Sequence, residues 1–216
     1  MHSKFFVSGL MLKRLVLGHR HPLLLCLICA SICLAVAAIL YPGGAPNDPS
    51  STGFSLQHNY LCHLFNATAV NGKVNSGRFW ALLGMLLLCI GFMLFFYRFS
   101  LKIEPSKNAN VLRFSGFLAM ILAFLVSTPW HDTMTTLACV FAFVALAIIS
   151  NSLFRSKLRA LKVLTVVCMG LLLVNNFVYY TTYDLEYLAI LQKVSFVLLT
   201  TWMLALDYGT KSSDFV

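Results

Sequence analysis

Pro22-Leu-Leu-Leu-Cys-Leu-Ile-Cys-Ala-Ser-Ile-Cys-Leu-Ala-Val-Ala-Ala-Ile-Leu-Tyr41 runs for twenty residues without a charged side chain. At about 1.5 Å of rise per residue, a helix of that length covers about 30 Å, the thickness of a bilayer's hydrocarbon core. A cleaved signal peptide has a shorter apolar core and a small-x-small cleavage site. This stretch runs instead into Tyr41-Pro-Gly-Gly44 and reads as an uncleaved first span.

Five further apolar runs follow, at Phe79–Tyr97, Phe114–Trp130, Met134–Phe154, Val163–Tyr180 and Tyr187–Leu206. Lipid offers a backbone no hydrogen-bond partner, so a segment crossing it must be helical or close a barrel. Runs of this length are helices. The predicted fold class is all-α, a polytopic transmembrane helical bundle of about six spans in one domain, residues 1–216. Composition agrees: 59% of the chain is hydrophobic and 11% charged, against about 25% charged in soluble domains.

The net charge of +9 would suit nucleic acid if the basic residues formed one patch. They do not, and no nucleic acid partner is expected. Lys4, Lys13, Arg14 and Arg20 precede the first span; Arg98, Lys102, Lys107 and Arg113 follow the second; Arg155, Lys157, Arg159 and Lys162 follow the fourth. The intervening connections hold Lys73 and Arg78, then no basic residue, then none. Cytoplasmic loops collect Lys and Arg, so both termini are expected in the cytoplasm. Tyr41, Trp80, Trp130, Tyr179, Tyr180 and Tyr187 sit at span ends, as interfacial anchors do. Residues 3–17 fit a short amphipathic helix on the membrane surface.

Cys26, Cys29 and Cys33 follow one helical stripe. Metal binding and helix–helix contact both fit such a stripe, and contact between small apolar residues is the simpler reading. Gly84, Gly91, Gly116, Ala119 and Gly170 are candidates for close helix approach. No disulfide framework is expected, because Cys62 alone lies in a long connection.

The chemistry gathers on the side expected to be external. The connection 42–78 opens with turn residues, Pro42-Gly-Gly44 and Pro46-Asn-Asp-Pro49. On a helix over about 54–67, His58, Asn59, Cys62, His63 and Asn66 would share an arc of about 140°. His58 with Cys62, and Asn59 with His63, would then meet as i, i+4 pairs. His131 and Asp132 form the next short connection, where a carboxylate can cap a helix and orient an imidazole. His58, His63, His131 and Asp132 are the candidate metal ligands, with zinc the metal this set would take. His58, His131 and Asp132 are the candidate catalytic groups. Asn59, Asn175, Asn176, Asp184 and Lys193 are candidate ligand-binding residues, with Gln192 beside them. Lys193 lies nearly two turns below the surface. A charge there costs about 2.5–3.5 kcal/mol unless it snorkels or finds a partner. A wet interfacial rim is the simpler reading of the whole set. His2, His19 and His21 stand among basic residues and read as solvated. Asn66-Ala-Thr68 matches a glycosylation sequon, relevant only in a eukaryotic host.

Tyr41-Pro-Gly-Gly44, the Ser55-x-x-His58-Asn59-Tyr-Leu-Cys-His63-Leu64 stretch and a compact six-span bundle together resemble the DUF998-like family. These are bacterial and archaeal membrane proteins of unknown function near the Frag/DRAM/Sfk-like set. In topology the likeness covers nearly the whole chain; its specific part is the first loop, with Trp130-His131-Asp132. Where the family often shows N-x-L-S-D-L, this chain has Cys62 and His63 at the serine and acidic positions. The resemblance implies a six-span fold in a bacterial cytoplasmic membrane and implies no reaction. Ser55-x-x-His58 and His131-Asp132 are also similar to parts of the seven-span ceramidase and adiponectin-receptor-like zinc hydrolases. The span count differs, and a closing H-x-x-x-H is missing.

Three functions fit. One is a non-enzymatic protein of the lipid bilayer, a lipid-interacting, sensor or assembly protein whose external polar pocket takes a lipid or small-molecule ligand. The second is a metal-dependent hydrolase acting on a lipid or lipid-linked substrate at the outer leaflet. The third is a small-solute transporter using Lys193, Asn175, Asn176 and Gln192. Standard nucleotide, nucleophile-elbow and zinc-protease motifs are absent.

Overall fold

The computed structural model describes residues 21–103, 107–182 and 185–215. Asp184, His2, His19 and the surface helix expected over 3–17 lie outside the described residues.

Six helices cross back and forth: α1 (Pro22–Ile39), α2 (Arg78–Lys102), α3 (Lys107–Leu125), α4 (His131–Arg155), α5 (Arg159–Thr181) and α6 (Leu185–Gly209). All six are long and apolar enough to span a membrane. The chain is a multi-pass helical membrane protein. Most helices extend past their apolar runs into polar flanks, because the i→i−4 ladder continues where side chains leave the lipid. The connections after α1, α3 and α5 share one end of the bundle, here the loop face. The opposite end, here the basic face, carries the other two and the 3₁₀ segment Ser212–Phe215.

α2 is the central helix, touching α1, α3 and α6. Its seam with α1 is made of absent side chains. A methyl on Gly91 would lie 3.0 Å from Cys26 Cβ, one on Gly84 3.1 Å from Cys33 Cβ, and one on Gly77 would collide with the Ala37 carbonyl. The seven-residue spacing of these glycines holds one face of α2 against α1. Cys26 and Cys33 are thus contact residues, while Cys29 faces outward. Gly116 of α3 sits directly on the Phe96 ring. Gly170, by contrast, has nothing near its Cα face and marks no helix contact.

Phe95, Phe96, Phe99, Leu112, Ile149, Leu153 and Trp202 form the buried core. Trp202 Nε1–H donates to Thr165 Oγ1 at 2.8 Å, tying α6 to α5 inside the bundle. α5 otherwise buries little; Val163, Val167, Val174 and Phe177 are all exposed on it, as suits a helix whose solvent is lipid.

Two connections differ from the sequence reading. α3 ends at Leu125 rather than continuing to Trp130. Pro129 disfavours helix at the residue before it. The Ser127 and Thr128 hydroxyls also take the Phe124 and Leu125 carbonyls, at 2.9 and 2.7 Å. The result is an open turn of five residues, 126–130.

The long connection is folded in its own right. β1 (Gly43–Ala45) and β2 (Asp48–Thr52) form an antiparallel hairpin. Gly43 and Gly44 enter it at φ +128° and +84°, a backbone region open to glycine. No amphipathic helix spans 54–67. A turn at 55–58 is followed by extended backbone at Tyr60 and a 3₁₀ helix, Leu61–Phe65. Asn59 is the cause, as shown next. Leu64, Phe65 and Tyr41 then seal this loop onto the ends of α1 and α2 through Ala37 and Ala81.

Candidate functional site

Asn59 is fully buried, and its polar side-chain atoms are bonded. Oδ1 accepts the Ser55 N–H at 2.8 Å, and Nδ2 donates to the Gly44 carbonyl at 2.8 Å and to His63 Nδ1 at 3.1 Å. Its backbone carbonyl accepts Lys193 Nζ at 2.6 Å. In a continuing α-helix that carbonyl would accept the His63 N–H, which instead bonds Tyr60 O at 3.1 Å. Side-chain and lysine bonds have outcompeted the helical ladder. The Asn59–His63 pair meets by this route, whereas the helix that would pair His58 with Cys62 does not form.

Lys193 turns its ammonium up toward the loop, where it finds partners. Its Nζ also donates to the Ala189 carbonyl at 2.8 Å and lies 5.8 Å from the centre of the Phe54 ring. Two carbonyls and an aromatic face stabilise its charge, with no ion pair among the described residues. Gln192 Oε1 accepts the Leu61 N–H at 2.9 Å, and Tyr60 donates to the Leu185 carbonyl at 3.2 Å. Three residues thus strap the loop across the first turns of α6.

Between this strapped loop and the α3–α4 turn lies a groove of about 360 Å³. Cys62, Phe65 and Asn66 line it from the loop side. Residues 126–129 and His131 line it from the other. His131 Nδ1 is 2.9 Å from Asp132 Oδ1, which also accepts the Tyr179 hydroxyl at 2.9 Å. Thr136 and Tyr180 add a second hydroxyl contact between α4 and α5, at 2.9 Å. Asp132 is not a helix cap; it lies in the first turn of α4, with its side chain 88% exposed.

The residues singled out by sequence divide accordingly. His131 and Asp132 come together at the groove rim, and Asn59, His63 and Lys193 come together beneath the loop. Asn176 bonds back to the Leu172 carbonyl, and Asn175 Oδ1 is buried without a partner. The His58 ring makes no hydrogen bond among the described residues, while its backbone N–H donates to Ser55 Oγ at 3.2 Å. His58, His63, His131 and Asp132 do not assemble into a ligand set. No group of three His, Cys, Asp or Glu able to hold a metal occurs among the described residues. The reason is the lost helix, since His63 turns in toward Asn59 while His131 turns to its neighbour Asp132 on the α3–α4 side of the groove.

Burial pushes the Cys62 thiol up to about 11, so it stays protonated at neutral pH and supplies no thiolate for attack. Burial also lowers His63 below its ordinary 6.5, and the charge of Lys193 adds to that. Because Asn59 Nδ2 donates, His63 Nδ1 accepts and the neutral ring carries its proton on Nε2.

Ser127, Thr128, Asn66 and Tyr179 were missed as site residues. Ser127-Thr-Pro129 is a helix-ending signal, and it could have widened the α3–α4 connection. Nothing local marks the Tyr179–Asp132 bond. No family model, curated protein or solved structure matches this chain.

Two outcomes follow from the strap. Lys193→Met strands the buried Asn59 carbonyl, at a cost of about 1–3 kcal/mol. Hydrogen exchange in detergent should then quicken at amides 55–65 while α2 and α4 keep their protection. Unchanged exchange in the loop would disprove the strap. For His63, the folded pKa lies below the unfolded one, so the unfolded chain binds the proton first. Its contribution to stability is complete above 6.5 and is lost as pH falls through the folded value. The melting midpoint should drop as pH falls below 6.5, and His63→Gln should flatten that slope. Parallel slopes in the two proteins would remove His63 as the source.

Proposed function

We propose that this protein is a lipid-interacting membrane protein, and that the loop-face groove holds the polar end of an amphiphile from the adjoining leaflet. The observation that carries the reading is the groove itself. It lies at the ends of the spans, between a rigidly strapped loop and an unwound turn, and its walls mix polar atoms with Phe65 and Val126. Its size falls within the range of about 300–1,000 Å³ that small ligands occupy. That is enough for a headgroup and too little for two acyl chains. The exposed Ile121 and Leu125 lie immediately below it on α3, where chains could run along the bundle.

Catalysis lacks comparable support. The Ser127 and Thr128 hydroxyls spend their protons on backbone carbonyls, Cys62 is a neutral thiol, and the proposed metal ligands are dispersed. Transport through Lys193 would need a mobile charge, and this one is fixed to two carbonyls.

In the same proposal the loop face is external and both termini are cytoplasmic. The support is charge: Arg98, Lys102, Arg155, Lys157, Arg159 and Lys162 crowd the opposite face. Kinship with the DUF998-like proteins, and with it a bacterial cytoplasmic membrane, rests on the six-span topology, the loop residues and Trp130-His131-Asp132.

Native mass spectrometry of the protein extracted with its own lipids tests the groove. Wild-type protein should retain lipid. Asn66→Trp and Ser127→Trp, which fill the groove, should lose most of it at unchanged helicity. No retained lipid, or equal retention in the variants, would sink the reading. For orientation, a C-terminal green fluorescent protein fusion should fluoresce and a C-terminal alkaline phosphatase fusion should be inactive; the reverse pattern would invert the topology.

A further inference from the structure

We propose that the α4–α5 connection binds the headgroups of anionic phospholipids in the leaflet on the basic face, a lipid contact independent of the loop-face groove. Two basic connections lie on that face. Arg98, Lys102 and Arg113 flank the first; Arg155, Lys157, Arg159 and Lys162 fall within eight residues at the second. Orienting the spans asks the same of both sets. The fold uses them differently.

The first set is engaged inside the chain. Arg98 Nε donates to Asp207 Oδ1 at 2.9 Å. Lys102 Nζ donates to the Leu206 and Asp207 carbonyls and to Thr210 Oγ1. Arg113 Nε donates to Ser100 Oγ at 2.6 Å, and its guanidinium lies 5.4 Å from the centre of the Tyr97 ring. The second set is not engaged: none of its four side chains makes a hydrogen bond or ion pair among the described residues. Its own stretch of chain offers no counter-charge, since no Asp or Glu occurs between Asp132 and Asp184. The two acidic side chains described on the basic face are bonded elsewhere, Asp207 to Arg98 and Asp214 Oδ2 to the Lys211 N–H at 2.7 Å.

The turn holds these charges outward. Leu153 is buried in the core, and Leu158 and Leu161 pack against it. Ser156 is buried as well; its hydroxyl donates to the Leu153 carbonyl at 2.7 Å and accepts the Leu158 N–H at 3.3 Å. With those positions turned inward, Arg155, Lys157 and Arg159 are exposed and Lys162 is half-buried. α5 begins here with no side-chain cap and no acidic residue in its first turn, so nothing local offsets the cluster's charge. The backbone is already ordered, and binding orders side chains only.

Position selects the occupant. The cluster stands where two spans leave the lipid, and Phe154 before it and Val163, Val166 and Val167 after it are exposed. Acyl chains lying along those residues bring their phosphates to the level of the cluster. Lys and Arg clustered at a span end attract anionic headgroups. A phosphate touching two of the four cations gains about fivefold from each. A choline headgroup carries its own cation and gains less. A soluble anion has the charge without the chains.

The test uses delipidated full-length protein in detergent and native mass spectrometry, with phosphatidylglycerol and phosphatidylcholine of identical acyl chains. Wild-type protein should retain the glycerol lipid about 25-fold over the choline lipid, and the preference should shrink as ionic strength rises. Lys157→Gln with Arg159→Gln, which keeps Arg155 and Lys162 to orient the spans, should reduce it about fivefold or more. Replacing all four by Gln should abolish it, while Arg155→Lys with Arg159→Lys should preserve it. Ser127→Trp, in the groove, and Lys73→Gln, on the loop face, should leave it unchanged. If the fourfold variant fails to insert, the wild-type preference and the double variant still decide. Equal retention of the two lipids by wild-type protein overturns the inference, as does a preference that survives loss of all four charges. A preference abolished by Ser127→Trp assigns it to the groove and also overturns the inference. Displacement of the lipid by millimolar inorganic phosphate shows a site for soluble anions and overturns the phospholipid assignment.

Discussion

The bond from Lys193 Nζ to the Asn59 carbonyl joins a charge inside the spanning region to the centre of the connecting loop. Its two ends need each other. A lysine at that depth is costly without acceptors, and a carbonyl buried under a loop is costly without a donor. Asn59 spends its whole side chain on Ser55, Gly44 and His63, which draws the hairpin and the 3₁₀ turn to one point. The loop is thereby a fixed wall rather than a tether. Without a fixed wall there is no groove, because the facing turn at 126–130 is short and has little else to close against.

The bundle below is organised so that this wall stays in register with α6. α2 is held close to α1 by Gly77, Gly84 and Gly91, and to α3 by Gly116 under Phe96. In lipid there is no hydrophobic force between helices, so close approach and van der Waals contact set their positions. α6 is then located from two sides, by Trp202 on Thr165 within the core and by Gln192, Lys193 and the Leu185 carbonyl under the loop. The position of the loop wall is therefore a consequence of helix packing as much as of the loop's own residues.

Much of the fold was legible in sequence because lipid imposes a simple rule. Apolar length and the alternation of basic residues identify spans without any knowledge of packing, and the glycines at 84, 91 and 116 marked real contacts. What failed was the step that assumed a helix over 54–67. Its periodicity was genuine, with Leu64 and Phe65 buried, yet periodicity says nothing of partners 134 residues away. Lys193 was recognisable as anomalous, but its partner is a backbone carbonyl, which no residue type announces. Tyr179 on Asp132 was illegible for the same reason: the bond depends on how α5 lies beside α4. The zinc-type ligand set fell with the helix, since its histidines were aligned only on that assumed face.

The two ends of the bundle treat their charges differently. On the basic face, Asp207 is buried against Arg98 at 2.9 Å, and Lys102 caps the Leu206 and Asp207 carbonyls at 3.1 and 2.7 Å. Phe215 folds back onto Phe99, closing that end over the core. The Arg98–Asp207 ion pair joins α2 to α6 as a structural seam, with Asp207 Oδ2 left buried and unbonded among the described residues. On the loop face Lys193 is bonded to carbonyls, but the carboxylate of Asp132 stays exposed and, among the described residues, is bonded on Oδ1 alone. The cost of that openness is small at an exposed interface. The same carboxylate would be expensive to keep in a dry, sealed site, so its exposure and its place at the open end of the bundle are two aspects of one constraint.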